Sequence, residues 1–253
     1  MKPRIASIID ILKHQQKLRI RDLAQEFDVS EMTIRRDLTY LESKGLLVRS
    51  HGGGVAINNS VHTHSCDLNM DISPEKIAIG KLAVQLVKDG QTIMFDSGST
   101  SSQVALNLPR DANITVATTS ILLAKALHGS GFTLILLGGY VGGDSPSVYG
   151  PMTERLLRDL HVDLLFTGCD AANSVEGLYL KDLWNCSLWQ AMTSIADRTV
   201  VVTESAKFKR RALARYALPS EVDILVTDPG ISEEDKTNLE DAGTEVLIAD
   251  DFT

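Results

Sequence analysis

The sequence has no long hydrophobic run and few cysteines. None of its apolar segments approaches the roughly 18 residues that a membrane-spanning helix needs, and it shows no signal peptide. The three cysteines, Cys66, Cys169 and Cys186, are odd in number and lack metal-ligand spacing. We therefore expect a cytoplasmic protein with reduced thiols and without a metal site or a cofactor.

An overall positive charge is also missing, since the 253 residues carry a net charge of -8. The charge is nevertheless uneven along the chain. Residues 1–56 contain ten Lys or Arg against seven Asp or Glu, whereas the remainder contains fifteen against twenty-six. An acidic body repels nucleic acid, so any binding of DNA should depend on a few well-placed cations and on repeated half-sites in an oligomer.

The segment from Val29 to Leu38 predicts a helix with a free outer face. Ser30 is a good N-cap, and no Gly or Pro follows until Gly45, so the helix should run from about residue 31 to 44. At about 100° per residue, one stripe is apolar and the opposite face is polar. The apolar stripe holds Ile34, Leu38 and Leu41, and the outer face and its shoulders hold Met32, Thr33, Arg35, Arg36, Thr39, Tyr40 and Ser43.

The surroundings of this helix indicate a small winged domain. An apolar helical face is formed by Ile5, Ile8, Ile9 and Leu12, and a second short helix is marked by Ile20, Leu23, Ala24 and Phe27. Only Asp28-Val29-Ser30 separates the second helix from the third, which is the spacing of a helix-turn-helix whose second helix can enter a DNA major groove. Residues 46–51 and 52–56 read as a hairpin with a glycine turn, so we expect a winged helix-turn-helix over residues 1–56.

Residues 57–73 are polar and lack periodicity, and we interpret them as a linker. From residue 74 to 253, strand and helix signals alternate, which is typical of a mostly parallel sheet covered by helices. The predicted strands are 92–95, 114–117, 133–137, 164–167, 199–202, 224–226 and 245–248. The predicted helices are 76–87, 100–108, 122–127, 153–160, 187–196 and 233–241.

In a parallel sheet, ligands bind beyond the carboxyl ends of the strands. The first such loop is Asp96-Ser97-Gly98-Ser99-Thr100, which combines a glycine with hydroxyls and a helix N-terminus and suits a phosphate. The next two strands end in Thr118-Thr119-Ser120 and in the glycine-rich run that begins with Gly138-Gly139. Together the three strand ends favour an anion site over coincidental helix caps. Lys207 follows another strand and could supply the cation, although an ordinary exposed lysine would explain it too.

Over nearly its whole length, the chain resembles DeoR-family transcriptional regulators. The DNA-binding signature of that family is similar to Val29-Ser30, Thr33 to Leu38, Leu41, Gly45 and Arg49-Ser50-His51-Gly52-Gly53. Its sensor domain is similar to Glu75-Lys76, Asp96 to Thr100, Thr118 to Ser120, Gly138-Gly139, Asp170 with Gly177, and Lys207-Phe208. The resemblance implies a sensor domain related in fold to ribose-5-phosphate isomerase, a phosphorylated sugar or related metabolite as effector, and an oligomeric repressor of a sugar-catabolic operon.

The chain also departs from the family pattern near the expected effector site. Tyr179 stands where the family usually has threonine, Ser187 where it has glutamate, and Glu204 where it favours aspartate. The segment from Trp184 to Trp189 is unusually aromatic for the family. These changes either reshape the pocket or, in the case of the two tryptophans, pack a subunit contact.

Two hypotheses about function follow. In the first, the chain is a ligand-controlled regulator of transcription. Ser30 is the N-cap of the helix that enters the major groove. Base edges are contacted by Met32, Thr33 and Arg36, and DNA phosphates are contacted by Arg35 and Arg49 beside His51. The effector-binding residues are Asp96, Gly98, Ser99, Thr100, Thr119, Ser120, Gly138, Gly139, Asp170 and Lys207. In the second, the body is an active sugar-phosphate isomerase with a DNA-binding appendage, in which Asp96, Asp170 or Glu176 is the general base and Lys207 holds the phosphate.

Overall fold

A computed structural model describes residues 4–5, 7–8, 11, 17–43, 47–50, 53–56, 72–142 and 146–249. The chain divides into two compact units, residues 1–63 and 64–253. Most of the predicted linker, residues 57–71, lies outside the described residues.

The smaller unit contains a helix-turn-helix and a three-stranded antiparallel sheet. Its elements are β1 (Lys17–Arg19), α1 (Ile20–Glu26), α2 (Glu31–Ser43), β2 (Leu47–Ser50) and β3 (Gly53–Ala56). The strand order is β1-β3-β2. The predicted hairpin is confirmed as β2 and β3, whereas β1 was not predicted because three residues before a helix carry no readable alternation.

Helix α2 begins where the sequence predicts, because Ser30 caps it. The Thr33 amide donates to Ser30 Oγ at 3.2 Å. The turn before it needs one left-handed residue, and Asp28 supplies this with a φ of 49°. The apolar stripe is fully buried, since Ile34, Leu38 and Leu41 are each 0% exposed.

The same small core includes two residues of the predicted first helix. Ile5 and Ile8 are buried together with Leu18, Ile20 and Leu23. The other two residues of that predicted apolar face, Ile9 and Leu12, lie outside the described residues.

The larger unit is an α/β domain, as predicted. Its elements in chain order are α3 (Pro74–Ala83), β4 (Thr92–Phe95), α4 (Ser99–Leu106), β5 (Thr115–Thr118), α5 (Ile121–Leu127), β6 (Thr133–Leu136), β7 (Tyr140–Gly142), β8 (Ser147–Tyr149), α6 (Pro151–Leu157), β9 (Val162–Thr167), β10 (Ala171–Asn173), β11 (Gly177–Leu180), α7 (Leu183–Thr193), β12 (Ala196–Val202), β13 (Ala214–Ala217), β14 (Ile224–Thr227), α8 (Glu233–Asp241) and β15 (Glu245–Ile248).

Seven strands form a parallel sheet in the order β15-β14-β12-β9-β4-β5-β6. Both faces of its central strands are covered, so these strands are apolar at successive positions rather than at alternate ones. In β4, for example, Met94 joins one core, whereas Ile93 and Phe95 join the other. Phe95 stacks on Phe166 of the neighbouring strand, with ring centroids 5.2 Å apart.

Two further sheets of short strands were not predicted. Strands β10, β11 and β13 form an antiparallel sheet, and β7 pairs with β8 in a hairpin. Each strand has only three or four residues, which is too short for a period of two to show. The predicted helix 187–196 is also shifted, since α7 covers residues 183–193 and Ala196 already begins β12.

Candidate functional site

The outer face of α2 is exposed within its own unit. Met32 is 70% exposed, and Arg35 and Arg36 are exposed beside it. Thr33 is half-buried, and its hydroxyl lies 2.9 Å from Ser30 Oγ at the helix N-terminus. An exposed methionine and two arginines on one helical surface form a face that can contact another molecule.

The two arginines differ in their local partners. Arg35 lies 3.6 Å from the Glu31 carboxylate one turn earlier. Arg36 makes no ion pair with any residue that the structure describes. The next residue, Asp37, is buried and accepts a hydrogen bond from Arg4 Nε at 2.7 Å, which ties α2 to the start of the chain.

Two other predicted DNA contacts cannot be located in the same detail. Arg49 belongs to β2, but its side chain is outside the described part, as is the whole of His51. Of the predicted set, the structure brings Ser30, Met32, Thr33, Arg35 and Arg36 together at the start of α2.

A cleft of about 210 Å³ lies in the larger unit, beyond the ends of β4, β9 and β12. After β4 the chain continues to β5 and β6 on one side, and it later returns to place β9 on the other side of β4. The cleft therefore lies at the switch point of the sheet, where open α/β folds bind ligands. It is lined by Lys76, Asp96, Ser97, Gly98, Ser99, Thr100, Gly168, Cys169, Asp170, Leu180, Asp182, Asn185, Trp189, Val202, Thr203, Glu204 and Lys207.

Asp96 organises the floor of this cleft. Its carboxylate accepts hydrogen bonds from the Gly98 amide at 2.8 Å, the Gly168 amide at 2.8 Å, the Thr167 hydroxyl at 2.9 Å and the Ser101 hydroxyl. Burial raises the pKa of Asp96, and the four donors oppose that shift. Gly98 allows the close approach, since a Cβ there would lie 2.9 Å from Asp96 Oδ1.

The first turn of α4 is open to a ligand. Gly98 occupies its N-cap position and provides no side-chain acceptor for the amides that follow. Ser99 is exposed at the helix start, and Thr100 lines the cleft next to it. Unpaired amides and the helix dipole favour an anion at this position.

The charged groups of the cleft are mostly paired. Glu204 lies 3.7 Å from Lys76 Nζ, and Asp170 lies 3.6 Å from Lys181 Nζ. Lys207 has no ion pair with a described residue, although it is half-buried. Burial and the nearby Arg210 lower the pKa of Lys207. The cleft thus offers one lysine whose charge no carboxylate neutralises by direct contact.

The structure brings only part of the predicted effector set into this cleft. Asp96, Gly98, Ser99, Thr100, Asp170 and Lys207 line it, whereas Thr119, Ser120, Gly138 and Gly139 do not. Ser120 instead caps α5 by accepting a bond from the Leu123 amide at 3.1 Å. The residues that follow β5 and β6 do not line the cleft, because these two strands lie on the side of β4 away from β9 and β12.

Several residues that line the cleft were not predicted from the sequence, or were predicted with two alternative roles. Asp182, Asn185 and Thr203 carry no motif, and they reach the cleft only because α7 and the end of β12 pack beside it. Trp189 is 7% exposed, lines the cleft and also packs into the core of its own subunit. The side chain of Trp184 lies outside the described part.

The cleft also contains the thiol of Cys169. Cys169 hydrogen-bonds with the Thr203 hydroxyl at 3.3 Å, and burial raises the pKa of its thiol to about 11. Among the residues that the structure describes, no three His, Cys, Asp or Glu side chains cluster as metal ligands. None of the helices in the described ranges has the length and hydrophobicity that crossing a bilayer requires.

Two family models match the chain. The model of the DeoR-like helix-turn-helix domain matches residues 4–60, and the model of the DeoR C-terminal sensor domain matches residues 72–229. The first match contains α2 with its exposed arginines, and the second contains the cleft.

Known proteins align over almost the whole chain. A protein from Escherichia coli O157:H7, named as a candidate transcriptional repressor of the aga operon, is 31% identical over 95% of this chain and 91% of its own length. The HTH-type transcriptional regulator GlpR of Haloferax volcanii is 30% identical over 95% of this chain and 94% of its own length.

Among solved structures, ribose 5-phosphate isomerase A from Methanocaldococcus jannaschii is similar at a TM-score of 0.38 and 21% identity, over 52% of each chain. That likeness is too distant to bear on function. The family models and the full-length relatives are sufficient by themselves: the chain belongs to the DeoR family of DNA-binding transcriptional regulators.

Proposed function

We propose that this regulator represses a carbohydrate-catabolism operon and that a phosphorylated sugar or related metabolite, bound in the cleft, changes its affinity for operator DNA. The observation that carries the proposal is the pairing of an open helix N-terminus with the unpaired Lys207 at the switch point of the sheet. The relative named as a repressor of the aga operon supports the sign of regulation.

In the DNA-bound state, α2 lies in the major groove. Met32, Thr33 and Arg36 contact base edges, while Arg35 and Arg49 contact phosphates. Arginine can bond guanine through two parallel hydrogen bonds, which discriminates against other bases by about 1–3 kcal/mol. A contact to a phosphate, in contrast, strengthens binding to all sequences alike.

Replacing Arg36 by alanine tests this assignment. We expect Arg36→Ala to reduce the preference for a duplex from the regulator's own promoter over random duplex of the same length by about 1–3 kcal/mol. Fluorescence anisotropy at fixed salt concentration measures both affinities. Arg35→Ala is the matched control and should weaken both while preserving their ratio. An unchanged ratio for Arg36→Ala would remove Arg36 from base recognition.

The effector site is tested by ligand-induced stabilisation. We expect at least one compound in a panel of phosphosugars to raise the melting temperature, because a ligand that binds only the folded state stabilises it. Ser99→Ala and Lys207→Ala should reduce that increase. Lys88→Ala, an exposed lysine outside the cleft, should leave it intact. If no phosphosugar stabilises the protein, and both cleft variants still regulate normally, the cleft assignment is wrong.

Control of DNA binding needs more than tight binding of the effector. A ligand shifts DNA affinity only by its different affinity for the DNA-binding and non-binding conformations. Operator titrations with and without the stabilising phosphosugar measure this difference. We further propose that two or more copies assemble, so that paired α2 helices contact two half-sites, and light scattering measures the number of copies.

The three carboxylates considered as the base of an isomerase are either engaged by other groups or outside the cleft. Both oxygens of Asp96 already accept hydrogen bonds, and Asp170 accepts one from the Lys181 amide at 2.9 Å. Glu176 does not line the cleft at all. Proton abstraction beside a carbonyl requires a carboxylate within hydrogen-bond reach of the substrate. We therefore propose that the cleft binds without catalysis, and turnover of ribose 5-phosphate or glucosamine 6-phosphate by the purified protein would contradict this.

A further inference from the structure

A short basic segment lies in the acidic unit, immediately after the cleft lysine. Residues 207–215 contain Lys207, Lys209, Arg210, Arg211 and Arg215 and no acidic residue. Lys209, Arg210 and Arg211 are exposed, and none of the three makes an ion pair with a residue that the structure describes. Three adjacent positive charges repel one another when no carboxylate of the chain pairs with them. The arrangement therefore favours the binding of an anionic ligand.

The three cations border a depression rather than a flat surface. It has a volume of about 470 Å³ and is also lined by residues from the end of β10 and from β11, including Asn173 and Tyr179. A concave site with polar side chains on two walls suits a small ligand better than a macromolecule.

The segment is held in place at both ends. Phe208 packs against the main core of the unit, and Ala214 is buried where β13 begins. The backbone of the basic segment is therefore fixed, which lowers the entropy cost of placing its cations around one anion.

The depression contains one carboxylate, and it is already engaged. Glu176 accepts a hydrogen bond from the Tyr179 hydroxyl at 3.3 Å. Three cations therefore face one acidic group, and the depression is net positive although the surrounding unit is acidic.

The depression also adjoins the cleft. The Arg210 amide donates to the Lys207 carbonyl at 3.1 Å, so the two residues are joined by one turn, which places their Cα atoms within about 7 Å. The positive charge of Arg210 also lowers the pKa of Lys207. The cations of the cleft and of the depression are thus neighbours.

We propose that Lys209, Arg210 and Arg211 form a second phosphoryl-binding site. Arginine is well suited to this role because its planar fork of N–H donors matches two phosphate oxygens. The phosphoryl group is either the second one of a bisphosphorylated effector whose first lies in the cleft, or a free phosphate ion. In the bridging form, a bisphosphorylated effector spans the cleft and the depression, and this form rests on the proposed function of the cleft. The proposal that the depression binds a phosphoryl group does not rest on that function.

Phosphorus NMR titration of the full chain with inorganic phosphate tests the site. We expect two bound phosphates per chain. The triple variant Lys209→Ala, Arg210→Ala, Arg211→Ala should lose one of them, with binding weakened about tenfold or more, and Lys207→Ala should lose the other. The matched control Lys88→Ala, Arg110→Ala, Arg158→Ala removes three exposed cations elsewhere and should keep both. Circular dichroism checks that each variant is folded.

The outcomes separate the two proposals. Phosphate binding that is unchanged in the triple variant overturns the second site and leaves the cleft proposal standing. Loss only in the triple variant, with no effect of Lys207→Ala, supports the second site and contradicts the cleft. Equal losses of phosphate binding in the triple variant and in the control variant would mean that only the overall electrostatic field of the protein attracts phosphate. This outcome also overturns the second site.

Two further arms identify the source of the phosphoryl group. In the bridging form, one fructose 1,6-bisphosphate should displace both phosphates, whereas fructose 6-phosphate should displace only the one in the cleft. Retention of phosphate in the depression with both sugars assigns the site to a free phosphate ion. If the triple variant instead weakens binding to random duplex DNA and leaves phosphate binding unchanged, the segment is a DNA contact and the proposal is wrong.

Discussion

Neighbouring groups have opposing effects on the pKa of the Lys207 ammonium group. Partial burial and Arg210 lower its pKa, while Cys169, Asp170 and Glu204 act in the opposite direction without cancelling the shift. The charged form is therefore less favoured than in an ordinary surface lysine. A bound phosphate would reverse the balance, because an adjacent negative charge stabilises the ammonium group.

This predicts a measurable dependence of ligand binding on pH. Above pH about 8 a phosphate monoester is fully dianionic, so any further change comes from the protein. As pH rises through the lowered pKa of Lys207, the free ammonium group loses its proton and affinity should fall, at a lower pH than an unshifted lysine would give. Calorimetry with fructose 6-phosphate as the ligand, in buffers of different ionisation enthalpy, should show proton uptake on binding once the pH approaches the lowered pKa of Lys207.

The control for this prediction is a permanently charged residue. Lys207→Arg should bind with little dependence on pH, because arginine does not deprotonate in this range. If binding to the wild type shows the same dependence on pH as binding to Lys207→Arg, up to the highest pH at which both proteins are folded, Lys207 does not contact the anion.

At the scale of elements, the loop after β6 has a structural role that its glycines do not reveal in the sequence. The Thr153 hydroxyl of α6 donates to the Gly138 carbonyl at 2.9 Å. A Cβ on Gly139 would collide with the Thr153 hydroxyl and would lie 2.8 Å from the Tyr149 carbonyl. The loop is thus pressed between the β7–β8 hairpin and α6, outside the cleft.

Gly139→Ala should therefore destabilise the protein by about 1–3 kcal/mol, the usual cost of overpacking. Gly138→Ala is the matched control, because its Cβ would have only Leu156 Cδ1 nearby, at 3.8 Å. Chemical denaturation measures both. Phosphate affinity should be unchanged in each variant, and a selective loss of affinity in Gly138→Ala would instead restore this loop to the effector site.

At the scale of the whole molecule, the two units have separate hydrophobic cores. Among the residues whose burial the structure describes, the core of the smaller unit is formed by residues from Ile5 to Leu41, and the two cores of the larger unit cover opposite faces of the parallel sheet. Small domains bury a lower fraction of their surface and are less stable. We propose that residues 1–56 and 74–253 fold as independent domains.

Leu38→Ala tests this independence. Removing a fully buried leucine costs about 2–5 kcal/mol, which is enough to unfold a small domain. Far-ultraviolet circular dichroism should show an early partial transition. The melting transition seen by tryptophan fluorescence should not move, because Trp184 and Trp189 both belong to the larger unit. Met32→Ala, on the exposed side of the same helix, should leave both transitions in place, and an equal shift of both transitions in Leu38→Ala would show that the units unfold together.

Local signals explain which parts of this fold could be predicted. Ser30 and the stripe of Ile34, Leu38 and Leu41 define α2, since a cap and a period of 3.6 residues act within one helix. The same holds for the core strands, whose short apolar runs are read directly from the sequence. The strands of the β10–β11–β13 sheet could not be recognised, because their pairing depends on partners as distant as residues 178 and 217.

The helix α2, the seven strands of the parallel sheet and the loop from Asp96 to Thr100 can be recognised from local sequence patterns. Which strand ends share a cleft depends on the strand order of the folded sheet: residues after β4, β9 and β12 line the cleft, while those after β5 and β6 do not. The tertiary structure also brings Thr203 and Trp189 into the same cleft as Asp96. The physical reason is that periodicity and capping are local, whereas strand order results from burial and hydrogen bonding summed over the whole domain.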